Sequence, residues 1–190
     1  MVSNTNVNLY PPYVNADGLM VFYPSAEERT GAGGSFSTMN GNVHTLEYDV
    51  DWNDLKLGTD ATSLYVLDYH NYLPDNVVVE KCEWTTTEAW DSASNDVVIN
   101  FGTVTLPTTA GAYTIIDADG LVNSLAKADI DQLGALILVA PTDTDPAPTY
   151  AGAQLGVVLT EPALVVGYWE TNAPTVGHGK LRVFYRHHNE

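Results

Sequence analysis

From residue 43 onward the chain keeps returning to a two-residue rhythm. In 43–51 (VHTLEYDVD) His44, Leu46, Tyr48 and Val50 share one parity, and Val43, Thr45, Glu47 and Asp49 share the other. That is the period of a strand with one buried face, and the apolar parity predicts the core side. Similar stretches follow at 63–69 (SLYVLDY), 76–90 (NVVVEKCEWTTTEAW), 96–106 (DVVINFGTVTL), 135–140 (ALILVA), 153–160 (AQLGVVLT) and 163–171 (ALVVGYWET). They are rich in β-branched and aromatic residues and are separated by Gly, Pro, Asp, Asn and Ser. The last, 179–187 (GKLRVFYRH), sets Leu181, Val183 and Tyr185 on one face and Lys180, Arg182, Phe184 and Arg186 on the other. One stretch has a different spacing. In 117–134 (DADGLVNSLAKADIDQLG) Leu121, Val122, Leu125 and Ala128 recur as on a helix, with Gly134 as its stop. About eight strands and one short helix predict an all-β domain, a single β-sandwich of jelly-roll or Greek-key wiring, with a closed barrel as the alternative.

Residues 1–42 read differently. Pro11, Pro12 and Pro24 favour extended backbone, and a Gly/Ser/Thr run occupies 31–41. The expected organisation is an extended N-terminal arm at 1–42, with one short strand in GLMVFYP, and the sandwich at 43–190. Tyr10, Tyr13, Phe22 and Tyr23 give the arm aromatic anchors for packing on its own domain or on a neighbour.

Charge narrows the function. The formal net charge is −17, and the chain has only seven Lys and Arg. A chain so acidic lacks the basic surface that releases counterions from phosphates, so neither nucleic acid nor an anionic membrane is an expected partner. No apolar run is long enough to cross a membrane as a helix, and the N-terminus does not resemble a signal peptide, so the chain is expected to be made in a cytoplasm. Cys82 is the single cysteine, which rules out an internal disulfide.

Catalytic and metal chemistry finds little support. The five histidines form no HExxH and no His-x-His pair, and there is no GxSxG elbow or phosphate-binding loop. Acidic residues cluster at Asp49, Asp51 and Asp54, at Asp117 and Asp119, and at Asp143 and Asp145, but none follows a calcium-loop pattern. Capping of the expected helix accounts for Asp117 and Asp119. No enzyme, cofactor or metal is therefore expected. Trp52, Trp84, Trp90 and Trp169 are expected in or around the core rather than on a sugar-stacking platform.

Four stretches together, HTLEYDVDWNDL, LPDNVVVEKCEWTTTEAWDSASNDVVINFGT, DADGLVNSL and GHGKLRVFYRH, resemble a broad group of tailed-phage virion structural proteins. Leu73-Pro74 opens the proline-led segment of that pattern. Thr86 to Trp90 ends its long strand, Phe101-Gly102 closes the next, and Gly179 to Tyr185 is the final strand. The likeness covers about 43–187, and the proline-containing arm departs from it. The resemblance implies a capsid decoration or cement protein, found in the virion and assembled in the host cytoplasm. It would bind the major capsid protein or another virion protein, as a homo-oligomer, with no catalytic residues. A neck, tail or baseplate component is one alternative, and a carbohydrate-binding sandwich is the other.

Three of the seven cations, Lys180, Arg182 and Arg186, lie on the last strand around Phe184, followed by His187. If that strand lies near an edge or on an exposed face, these residues form a positive stripe suited to docking on an acidic shell. Edge protection and pairing with the chain's own carboxylates are the other two readings.

Overall fold

The computed structural model describes residues 43–58, 64–92, 96–107, 113–141 and 150–188, together with the backbone of 13–14, 20–21 and 37–40. Strands appear in chain order as β1 (Tyr13–Val14), β2 (Met20–Val21), β3 (Ser37–Asn40), β4 (Val43–Asp51), β5 (Tyr65–Val66), β6 (Tyr72–Leu73) and β7 (Val77–Ser92). They continue as β8 (Val98–Thr105), β9 (Ile115–Ala126), β10 (Leu136–Val139), β11 (Val158–Leu159), β12 (Ala163–Glu170) and β13 (Pro174–His187). One short helix, α1 (Lys127–Ile130), follows β9.

Two antiparallel sheets account for nearly all of these. The first has the order β10-β7-β13-β4-β3, with β11 also pairing β7; the second has the order β5-β12-β8-β9, with β6 also pairing β12. β1 and β2 form a separate hairpin. The chain changes sheet after β4, β6, β7, β9, β11 and β12, so neighbours in sequence are mostly partners across the core rather than within a sheet. The all-β, two-sheet architecture is the one the strand pattern predicts.

The inward parity of each long strand fills the space between the sheets. Tyr48 and Val50 of β4, Trp84 of β7, Phe101 of β8, and Leu181 and Val183 of β13 are all fully buried. Trp84 stacks on Phe101 across the layer, with ring centroids 5.5 Å apart, and meets Trp90 edge-on at 5.9 Å. Each such side chain contributes about 1.5–3 kcal/mol through burial, so this aromatic group is a principal bond between the sheets. Room for it comes from β13: a Cβ at Gly179 would lie 2.1 Å from the Trp84 indole, and one at Gly177 would lie 2.3 Å from that of Trp90. All four tryptophans sit in this core or pack against it. A smaller second core, built on Leu64, Val66, Val104, Leu164, Val166 and Tyr168, covers the opposite face of the second sheet. β12 is therefore buried on both faces, as its continuous apolar run ALVVGY requires.

The helix expected over 117–134 is corrected. Residues 115–126 form β9, and α1 keeps only four residues. The helical spacing of Leu121, Val122 and Leu125 arises from irregular pairing. Between the pairs Phe101↔Val122 and Thr103↔Asp117, β8 advances two residues while β9 advances five. This bulge, together with a left-handed Ser124 (φ 61°), lets adjacent Leu121 and Val122 both reach the core. Asp117 and Asp119 consequently lie within a strand and cap no helix.

Candidate functional site

β13 is not an edge strand. It runs between β4 and β7, and from His178 to Tyr185 its residues have a neighbour on both sides. Lys180 stands between Asp49 and Thr85, Arg182 between Glu47 and Glu83, and Phe184 between Thr45 and Lys81. Placement near a sheet edge is thus overturned, and edge protection has no role at this strand.

The charges on this outer face are paired. Glu47 receives Lys180 Nζ at 2.8 Å and Arg182 Nε at 2.6 Å, and Lys180 also reaches Asp49 at 3.2 Å. Arg186 Nε meets Glu80 at 2.7 Å, and Lys81 Nζ meets Glu83 at 2.8 Å while lying 4.3 Å from the centre of the Phe184 ring. Four cations therefore face four carboxylates. These eight side chains carry no formal net charge between them, while Asp51 and Glu88, beside His178, add acid at the far end of the face. Of the sequence-level readings of the basic strand, pairing with the chain's own carboxylates is the one observed.

Glu47 is the unexpected member. It lies on the polar parity of β4, yet only 5% of it is exposed. Burial pushes its carboxyl up, but hydrogen bonds and charge from Lys180 and Arg182 outweigh burial and hold its pKa below the ordinary carboxylate value. Lys180 is shifted upward, chiefly by its hydrogen bond to Glu47. The signal was present in the sequence, since Glu47 and Arg182 share the outward parity of strands that pair; what was missing was the register.

The remaining sequence-predicted residues distribute as follows. Arg186 is exposed, Phe184 is half-buried, and His187 packs edge-on against His44, with ring centroids 5.4 Å apart, near Tyr185. Tyr10, Phe22 and Tyr23 lie outside the described residues. Tyr13 is on β1, paired with Val21, and its side chain lies outside the description. Ser37–Asn40 of the expected arm is the strand beside β4. Asp143 and Asp145 also lie outside the described residues.

A second polar group lies on the other sheet. Burial and the neighbouring Asp119 raise the pKa of Asp117. The Tyr168 hydroxyl donates to Glu170 at 3.1 Å, as does the Asn100 amide at 3.3 Å. Among the described residues, no three His, Cys, Asp or Glu side chains converge as metal ligands. Cys82 is fully buried, and burial pushes its thiol pKa far up.

No protein-family model and no curated protein sequence matches the chain. Solved structures do. A chain in the capsid of Ralstonia phage GP4 superposes with a TM-score of 0.50 at 14% identity, over 82% of this chain and 92% of that one. A chain in the acid-stable capsid of Helicobacter pylori bacteriophage KHP30 aligns with a TM-score of 0.43 at 14% identity, covering 81% and 95% of the two chains. At this identity the GP4 likeness is one of fold: the two-sheet architecture of this chain is also found in a phage capsid.

Proposed function

We propose that this chain is a non-enzymatic structural protein of a tailed-phage particle, acting as a decoration or cement protein on the outside of the shell. The observation that carries the reading is the extent of the fold correspondence with the GP4 capsid chain, which takes in 92% of that chain rather than a shared fragment. Two features support a binding role over a catalytic one. The buried titratable side chains Glu47 and Cys82 are, respectively, ion-paired and embedded in the core. The outer face of the six-stranded sheet presents ion-paired side chains rather than a cluster of free ones.

In this reading the outer face of the six-stranded sheet docks through Phe184, Arg186 and His187, while Lys180 and Arg182 keep it rigid by holding Glu47. Attraction between a free positive stripe and an acidic shell is not the mechanism, because the stripe is already neutralised. An ion-paired face gains little from the overall charge of its partner, and its specificity comes from shape and from pairing of individual charges. Residues 1–42, with Tyr10, Tyr13, Phe22 and Tyr23, act as an arm that enlarges the footprint towards the roughly 1,000 Å² a stable contact needs.

The test is reconstitution. Purified chain is added to shells that lack it, and co-sedimentation is followed against concentration. Saturable binding that also raises the temperature at which the shell releases its contents supports the proposal. Absence of binding to expanded shells refutes it.

A further inference from the structure

β10 ends the six-stranded sheet opposite β3. Its inward side chains are ordinary core, with Val139 only 2% exposed, but its outward ones are leucines in water: Leu136 is 65% exposed and Leu138 52%, and nearby Leu133 is 75% exposed. Leu136 stands across from Thr85 and Leu138 across from Glu83 of β7, so the leucines form the border of the ion-paired face. On its other side β10 has no strand partner among the described residues. Edge strands of soluble proteins are normally guarded by a charge, a proline or a bulge. Here residues 133–140 (LGALILVA) carry no charge and no proline, and the one bulge, Gly134–Ala135 opposite Thr86, lies before the strand and leaves Leu136–Val139 regular.

We propose that β10 is a self-pairing edge, joining two copies of this chain in antiparallel fashion about a two-fold axis at Ile137. Electrostatics selects the occupant. Two chains of −17 repel over most of their surfaces and approach at least cost where neither bears charge, which is the run from Leu133 to Pro141 beside the ion-paired sheet face. A two-fold contact uses one patch twice, and an uncharged strand is complementary to itself when antiparallel. Parity and burial together select the register. Residues directly opposite in an antiparallel pair point to the same face, so outward residues meet outward ones, and of the registers that allow this only the one centred on Ile137 sets both exposed leucines against leucine, Leu136 opposite Leu138 of the other copy. The two six-stranded sheets then become one, with four leucines closing over each other on its outer face. This inference does not depend on the virion reading.

A four-residue strand buries less than the roughly 800 Å² per partner of a standard stable interface, so the dimer is expected to be weak and concentration-dependent. Because salt screens the mutual repulsion and leaves apolar contacts intact, it is expected to tighten as salt is added, unlike a dimer held by ion pairs. Sedimentation of the full chain over a range of concentrations, at low and high salt, should show a monomer–dimer equilibrium that shifts to dimer with both. Leu138→Lys should remain monomeric with an unchanged melting temperature.

Cross-linking fixes the register. Leu136→Cys chains mixed with Leu138→Cys chains should form the mixed disulfide in preference to either self-pair, and buried Cys82 leaves the background clean. A wild-type chain that is monomeric under every condition overturns the proposal. So does a dimer indifferent to Leu138→Lys, or cross-linking without preference for the mixed pair.

Discussion

Replacing Glu47 with Gln keeps the size of the side chain and removes the charge that holds Lys180 and Arg182. Taking one partner from a fully buried ion pair costs about 3–5 kcal/mol, because the other charge is left unpaired away from water. The two cations here are 33% and 38% exposed, so water takes up part of the loss. Lys180 also keeps Asp49 at 3.2 Å. The expected destabilisation is therefore about 1.5–3 kcal/mol, between the buried and the surface limits. For a chain of this size that is a fall in melting temperature of roughly 3–12 °C. Thermal and urea unfolding, followed by the near-ultraviolet signal of the Trp84–Trp90 pair, measure it.

The pH dependence provides a second check. The pKa of Glu47 is lower in the folded chain than in the unfolded one. Its contribution is thus present above the unfolded carboxyl pKa of about 4.3 and lost as pH falls through the folded value. The gap between wild type and variant should be widest near neutrality and close in acid. A loss below about 0.5 kcal/mol at neutral pH, the size expected of an exposed pair, would refute the structural role given to Glu47.

Gly179→Ala should be among the most damaging single changes, costing about 3 kcal/mol or more in urea unfolding, because its Cβ would enter the fixed Trp84 indole. Asp117 works in the opposite sense to Glu47: its folded pKa is raised, so its stabilising contribution is present in acid and lost as pH rises through that value. Asp117→Asn should accordingly gain stability at neutral pH and lose that gain at low pH, as read from melting temperatures across the range. The Cys82 thiol should react with a thiol reagent only at the rate of unfolding, and rapid labelling of the native chain would contradict its burial. In shell co-sedimentation, Arg186→Glu should weaken binding with little change in melting temperature, since the Arg186–Glu80 pair is exposed; full binding by this variant would remove Arg186 from the docking face.

The fold was legible wherever a strand obeys the simple two-residue period. β4 and β13 bury the parity that their patterns indicate, and β12 declares its double burial by an unbroken apolar run. Period alone misled at β9, where a bulge brings adjacent residues to one face and imitates a helix. The runs at 63–69 and 153–160 yielded only two-residue strands, because apolar content marks burial and not pairing. The site was half legible. The outward set of β13 could be read from parity, but its meaning depends on which strands flank it, and strand order is a property of long-range pairing. With β13 at an edge the cations would be free; between β4 and β7 they are neutralised. The leucines of β10 are visible in the sequence as part of an apolar run, but an unbroken apolar run does not tell which face is exposed; the sheet order and the exposure of Leu136 and Leu138 do.

The central claim, that the chain is a component of a phage shell, is tested most directly by a density gradient of particles from the source lysate with quantitative mass spectrometry. The chain should band with intact particles at an abundance comparable to that of the major shell protein. A chain that stays at the top of the gradient, or bands at the few copies of a tail-axis component, would contradict it.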